Sequence, residues 1–153
     1  MHNTRAFILR ILIVLILTVI LSYFGIMGST NAVQALFTVL GISFSISMSL
    51  IISFDLSQVL NDKYRKPIRS AITNTRNGLI LDFAFSTFIL LLASIQVVSD
   101  FELKIKGCSV FYFQTFAICV IVFSIFYEAY NFTQIHNLQN DITDAIIREK
   151  RGK

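Results

Sequence analysis

Four apolar runs, each about as long as a bilayer's hydrocarbon core is thick, leave this chain few ways to fold. They cover residues 6–27, 32–54, 78–98 and 108–127, and a helix needs about 20 residues to cross the core. Inside lipid every backbone amide and carbonyl has to be bonded within the protein, which selects helices for runs of this kind. Composition agrees, since 55% of the residues are hydrophobic and only 14% charged. That is more apolar surface than a soluble domain of 153 residues buries. The expected fold is all-α, a single polytopic membrane domain over residues 1–153 with four transmembrane helices and helical cytosolic extensions.

One long polar passage, residues 55–77, separates the second and third runs, and Lys63, Arg65, Lys66, Arg69 and Arg76 crowd within it. Basic residues beside short loops are retained in the cytoplasm. With this passage inside, eleven of the thirteen basic residues are cytosolic and two, Lys104 and Lys106, lie outside. Both termini are then cytosolic, at a bacterial inner membrane. The net charge of +4 reflects orientation, and no direct nucleic-acid partner is expected. Arg5 just before the first run and Arg10 within it also fit the charged region of a signal peptide cleaved near Thr30-Asn31-Ala32. The run is long for a signal, so a retained span is expected, with Arg10 snorkelling back toward the cytosol.

The second run carries no charge, and Gly41, Ser45, Ser49 and Ser53 recur in it at every fourth position. That spacing lays them along one helical stripe, with Ser43 and Ser47 on a neighbouring one. Small residues let helices approach closely and hydroxyls can bond across to a neighbour. The stripe is expected to pack helices or to join copies of the chain; a hydrated, pore-lining stripe is the alternative. In the polar passage, Pro67 is expected to end an amphipathic extension over residues 56–64 and to open an interfacial helix. That helix would run to Asn77-Gly78, with Arg69 and Arg76 held by anionic lipid headgroups.

Asp82 sits about one turn inside the third run, and an intramembrane carboxylate is a functional candidate. Pairing with Arg76 or another basic residue of the passage is expected. Asp55, Asp82 and Glu128 all fall at the inner boundary, either as an ion-pair network or as independent exposed charges. Beyond them, Ile135, Leu138, Ile142 and Ala145 keep a three-and-four spacing, so a helix over residues 128–148 is expected to project into the cytosol. The outer loop, residues 99–107, alternates apolar and charged positions and is expected to be extended.

Chemistry-bearing groups are sparse. Cys108 and Cys119 are eleven positions apart, about 16 Å along a helix, too far to pair with each other. His2 and His136 have no cysteine at ligand spacing, and neither a nucleophile elbow nor a phosphate-binding glycine loop occurs. No catalytic, metal or cofactor-binding residue is expected, and the chain reads as a non-enzyme. The two cytosolic projections, with Lys63, Arg65, Lys66, Arg69, Leu138 and Ile142 on them, suit a subunit that self-assembles and recruits or signals to a soluble cytosolic effector. Short outer loops leave little room for a ligand, so membrane or envelope disturbance is the expected stimulus. In its four spans, the patch Lys63-Tyr64-Arg65-Lys66 and the helical tail over residues 131–148, the chain resembles the small four-span membrane component of the Kiwa antiphage system. The resemblance implies a role in antiviral defence beside a separate soluble partner, and it assigns no residue a function. An oligomeric pore or channel and an immunity protein against a membrane-active toxin are the alternative functions.

Overall fold

A computed structural model describes residues 2–53, 62–105 and 108–151. Its elements are helix α1 (His2–Tyr23), α2 (Thr30–Ile52), α3 (Asp62–Ala93), the single turn α4 (Gln96–Ser99), strands β1 (Glu102–Ile105) and β2 (Cys108–Tyr112), and α5 (Phe113–Arg151). Among the described residues three helical stretches are long and apolar enough to cross a bilayer: Thr30–Ile52, Ile68–Ala93 and Phe113–Asn140. The described apolar part of α1, Ile8–Tyr23, is shorter.

Two expected breaks do not occur. Helix α3 runs unbroken through Pro67 and through Asn77-Gly78. Pro67 stands only six residues into the helix, where it forfeits one amide bond near an end that frays anyway. Gly78 has a packing reason to stay helical: a Cβ there would lie 2.9 Å from the Tyr127 hydroxyl. The amphipathic extension expected over residues 56–64 falls mostly outside the described residues.

The fourth span begins later than expected. Residues 108–112 form β2, which pairs antiparallel with β1, with a register shift between Leu103 and Lys104. Val110, Phe111 and Tyr112 are strand formers because their side chains suit a pleated, half-buried surface. The outer loop is extended in β1, in line with its alternation. At its surface Glu102 pairs with Lys104, and this contact raises the ammonium pKa above its usual value, first by hydrogen bonding and then by charge.

Helix α5 is the axis of the bundle, in contact with α1, α2 and α3. Its buried positions, Ala117, Ile121, Ser124, Glu128 and Ile135, keep the three-and-four spacing that holds one helical face against its neighbours. Helix α3 turns Leu79, Asp82, Ser86, Ile89 and Ala93 toward it, and α2 contributes Val33, Leu40, Ser47 and Ile51. Phe83 joins α3 to α2 through stacked rings, with centroids 4.3 Å from Phe44 and 5.6 Å from Phe37. Helix α1 buries only a narrow stripe containing Val14, Thr18 and Ser22, while Ile8, Leu12, Ile16 and Ile20 are exposed.

The α1–α2 turn is fixed by backbone chemistry. Gly25 adopts φ +73°, and Gly25 N–H and Ile26 N–H donate to the carbonyls of Ser22 and Leu21. This double bond pattern around a left-handed glycine closes the C-terminus of α1. Three residues on, Ser29 caps α2 by accepting from Ala32 N–H. Between them Gly28 lies against α5: its N–H donates to Thr115 Oγ1 at 3.1 Å, and Thr115 donates to the Ile26 carbonyl at 2.9 Å. A Cβ at Gly28 would stand 2.8 Å from the backbone carbonyl of Gln114 and from Ile118 Cδ1.

Gly28→Ala is therefore expected to destabilise the bundle by about 1–3 kcal/mol, the usual cost of overpacking a site that cannot yield. Gly41→Ala, where nothing stands within 4 Å of the new Cβ, should be neutral or stabilising by up to about 1 kcal/mol. Reversible unfolding of both variants in detergent micelles measures the contrast.

Candidate functional site

Polar side chains inside the bundle gather at two levels. Near the hairpin, Gln114 donates from Nε2 to Ser99 Oγ at 2.5 Å and to Thr30 Oγ1 at 3.1 Å, with the Ala93 carbonyl at 3.4 Å. Tyr112 N–H donates to Ser22 Oγ at 3.2 Å. These bonds tie the start of α5 to the ends of α1, α2 and α3. They read as a structural clasp.

The second level, deeper along the helices, carries charge. Asp82 lies 14 residues into the apolar stretch Ile68–Ala93, and Glu128 lies 15 residues into Phe113–Asn140. Asp82 is 3% exposed and Glu128 fully buried. Arg10 of α1 reaches between the helices and forms an ion pair with Asp82 Oδ1. Its other terminal nitrogen donates to Ser124 Oγ at 2.9 Å, and the guanidinium carbon stands 4.9 Å from the centre of the Tyr127 ring. Ser124 Oγ is in turn 2.8 Å from Ser86 Oγ. Three groups from two helices thus receive the guanidinium of a third, by charge, by a hydrogen bond and by the ring face, and Ser86 supports Ser124 from behind.

The arrangement leaves acceptors over. Asp82 Oδ2 and both oxygens of Glu128 are buried without a hydrogen-bond partner. Beside the ion pair lies a small cavity of about 20 Å³, lined by Arg10, Val14, Asp82, Phe85, Phe116 and Val120. It has room for about one water. Two carboxylates therefore face one guanidinium in a region with little access to solvent.

Two sequence-based expectations are corrected by this geometry. Arg10 does not snorkel; it turns into the bundle, because the Asp82 carboxylate, the Ser124 hydroxyl and the Tyr127 ring face replace water that it gives up. Asp82 does not pair with Arg76, which is exposed and contacts the neighbouring Asn77 at 3.5 Å. Of the three expected boundary acids, Asp82 and Glu128 are close enough for their charges to interact, and Asp55 lies outside the described residues.

The other expected residues are spread over the surface. Gly41 is half-buried and Ser45, Ser49 and Ser53 are exposed, on the side of α2 turned away from the core. Ser45 and Ser53 satisfy their hydroxyls on their own helix, at the carbonyls of Gly41 (2.8 Å) and Leu50 (2.7 Å). Within one chain the stripe packs nothing; the buried serine of α2 is Ser47. Arg65, Lys66 and Arg69 are exposed on α3, Lys63 lies near its start, and Leu138 and Ile142 are half-buried on α5. Among the described residues no group of three His, Cys, Asp or Glu side chains could hold a metal ion.

Sequence reasoning missed Ser86, Ser124, Tyr127 and the inward role of Arg10. A usable signal was present: Arg10-Val14-Thr18-Ser22, Asp82-Ser86 and Ser124-Glu128 place polar or small groups four apart, one turn above another on a single face.

Removing one partner of a buried pair strands the other charge, so Arg10→Met should cost about 3 kcal/mol or more. Adding Asp82→Asn to that variant should restore at least about 1 kcal/mol relative to additivity; a double-mutant cycle on unfolding in micelles gives the coupling directly. Comparison of the chain with protein-family models, with curated proteins and with solved structures finds no match, so its function has to be read from these side chains and their placement.

Proposed function

We propose that the chain is a non-enzymatic subunit of the bacterial inner membrane that self-assembles and passes a change in the bundle to a soluble cytosolic effector. The observation that carries this reading is the continuity of α5. It runs for 39 residues from the hairpin to Arg151, about 58 Å at 1.5 Å per residue, roughly twice the thickness of the hydrocarbon core. The same rod bears Ser124 and Glu128 in the core, Ile135 packed with Ile51 and Leu79, and then Leu138 and Ile142.

In this proposal α1 is the fourth span, and both termini and the basic segment with Lys63, Arg65, Lys66 and Arg69 are cytosolic. The distribution of basic residues supports that orientation. Self-association along Gly41, Ser45, Ser49 and Ser53 is supported by their outward position and by the open space at Gly41, which would admit a neighbouring helix at close range. A setting in antiviral defence rests on the resemblance to the Kiwa membrane component.

Gentle detergent extraction of the tagged chain from its native membrane, followed by mass determination, tests the reading. A homo-oligomer carrying a stoichiometric soluble protein is expected. Gly41→Leu should reduce it to a monomer, and the pair Leu138→Asp and Ile142→Asp should release the companion while the chain remains inserted and helical. A homo-oligomer without companion that renders liposomes permeable to ions would favour a pore instead, and a monomer alone would defeat the proposal.

A further inference from the structure

Among the described residues the charge count of the buried cluster does not close. Arg10 supplies one positive charge from α1, Asp82 one negative from α3 and Glu128 one negative from α5. Helix α2, the remaining neighbour, has no titratable side chain over residues 30–53. Tyr127 faces Arg10 with its ring, and the charges that act on Glu128 are those of Asp82 and Arg10. One uncompensated negative charge inside lipid is costly, whichever scale is used.

Something positive has to enter. A hard metal cation would demand a shell of about six oxygens. The hydroxyls of Ser86 and Ser124 are already committed to each other and to Arg10. A proton needs one lone pair and no shell. Glu128 offers both of its oxygens, fully buried and unpartnered, and Asp82 Oδ2 is unpartnered as well.

We propose that Glu128 binds one exchangeable proton in a membrane-embedded site completed by Asp82 and Arg10. With that proton the cluster is neutral, and without it the cluster carries a net negative charge that only movement of α1, α3 or α5 toward water relieves. The inference is separate from assembly and partner recruitment; it rests only on α3 and α5 crossing the bilayer.

Dicyclohexylcarbodiimide is the probe. It partitions into the bilayer and adds the O–H of an un-ionised carboxyl across one of its C=N bonds, so the adduct keeps every atom of both reactants. The full chain, reconstituted in phosphatidylethanolamine–phosphatidylglycerol vesicles, is treated over a pH series, and the modified residue is located by peptide mass. Label on Glu128 that declines as the pH is raised is the expected result. Glu128→Gln, close in shape and uncharged, should remove the label while helix content is kept. Asp82→Asn leaves Arg10 and Glu128 as a balanced pair and should lower labelling of Glu128 about tenfold, because the nearest positive charge then favours the carboxylate. Label on Asp82 alone, label on neither carboxyl of the folded chain, or labelling of Glu128 unaffected by Asp82→Asn would each overturn the proposal.

Discussion

A guanidinium drawn most of the way out of water into an apolar bundle has to find polar partners in protein, and the ion pair of Arg10 with Asp82 is where this chain meets that demand. The pair decides more than local comfort. Helix α1 buries only a narrow stripe and exposes most of its apolar side chains, so apolar packing within the chain gives it little reason to choose one rotation over another. Arg10 supplies the reason. Its contacts with Asp82, Ser124 and Tyr127 set the rotation of α1, and with it the side that is left exposed. The cost of burying both charges is substantial, and such pairs serve specificity of packing more dependably than stability.

The two polar levels do different work. At the hairpin end the groups are neutral: Thr115 closes on Ile26 and Gly28, Gln114 on Thr30 and Ser99, and Tyr112 on Ser22, with the uncharged Gln114 Oε1 left over. Close approach at Gly28 makes that end intolerant of added volume. At the level of Asp82 and Glu128 the matching is incomplete, with three carboxylate oxygens left over. Between them lies an apolar core built on Val14, Leu40, Ala117 and Ile121. A bundle fastened at one end and electrostatically unbalanced further along has its natural place of change at the unbalanced level.

Much of the architecture was legible in the sequence because lipid enforces length and apolarity so strictly. Three of the four expected spans correspond to helical stretches long and apolar enough to cross a bilayer, and the extended outer segment follows from its alternation. The errors have physical causes. Pro67 looked like a boundary, but its helix begins just before it, where a missing amide costs little. Residues 108–112 are as apolar as a span, and apolarity by itself does not separate a strand from the first turn of a helix. The serine stripe on α2 is a different case: its regularity left open whether it meets another helix of the same chain or another copy, and one chain packs Ser47 and leaves the regular positions outside. The charged cluster was half-visible: Asp82 and Glu128 stood out as acids near a membrane boundary, whereas Arg10 was hidden by its position near an end, where water is the cheaper partner. Only the bundle shows that a carboxylate on α3 lies within its reach.

The unbroken run of α5 has a mechanical consequence. From Glu128 to Arg151 the helix extends about 35 Å, while its other half is embedded among α1, α2 and α3. A helix is stiff on this scale and bends sharply only at identifiable breaks; the sequence of α5 contains neither proline nor glycine. Ile135, buried against Ile51 and Leu79, still holds it to the bundle beyond Glu128, so the projecting part begins there and is about 24 Å long. A tilt of about 10° at Ile135 would sweep the far tip through about 4 Å, most of one turn of helix.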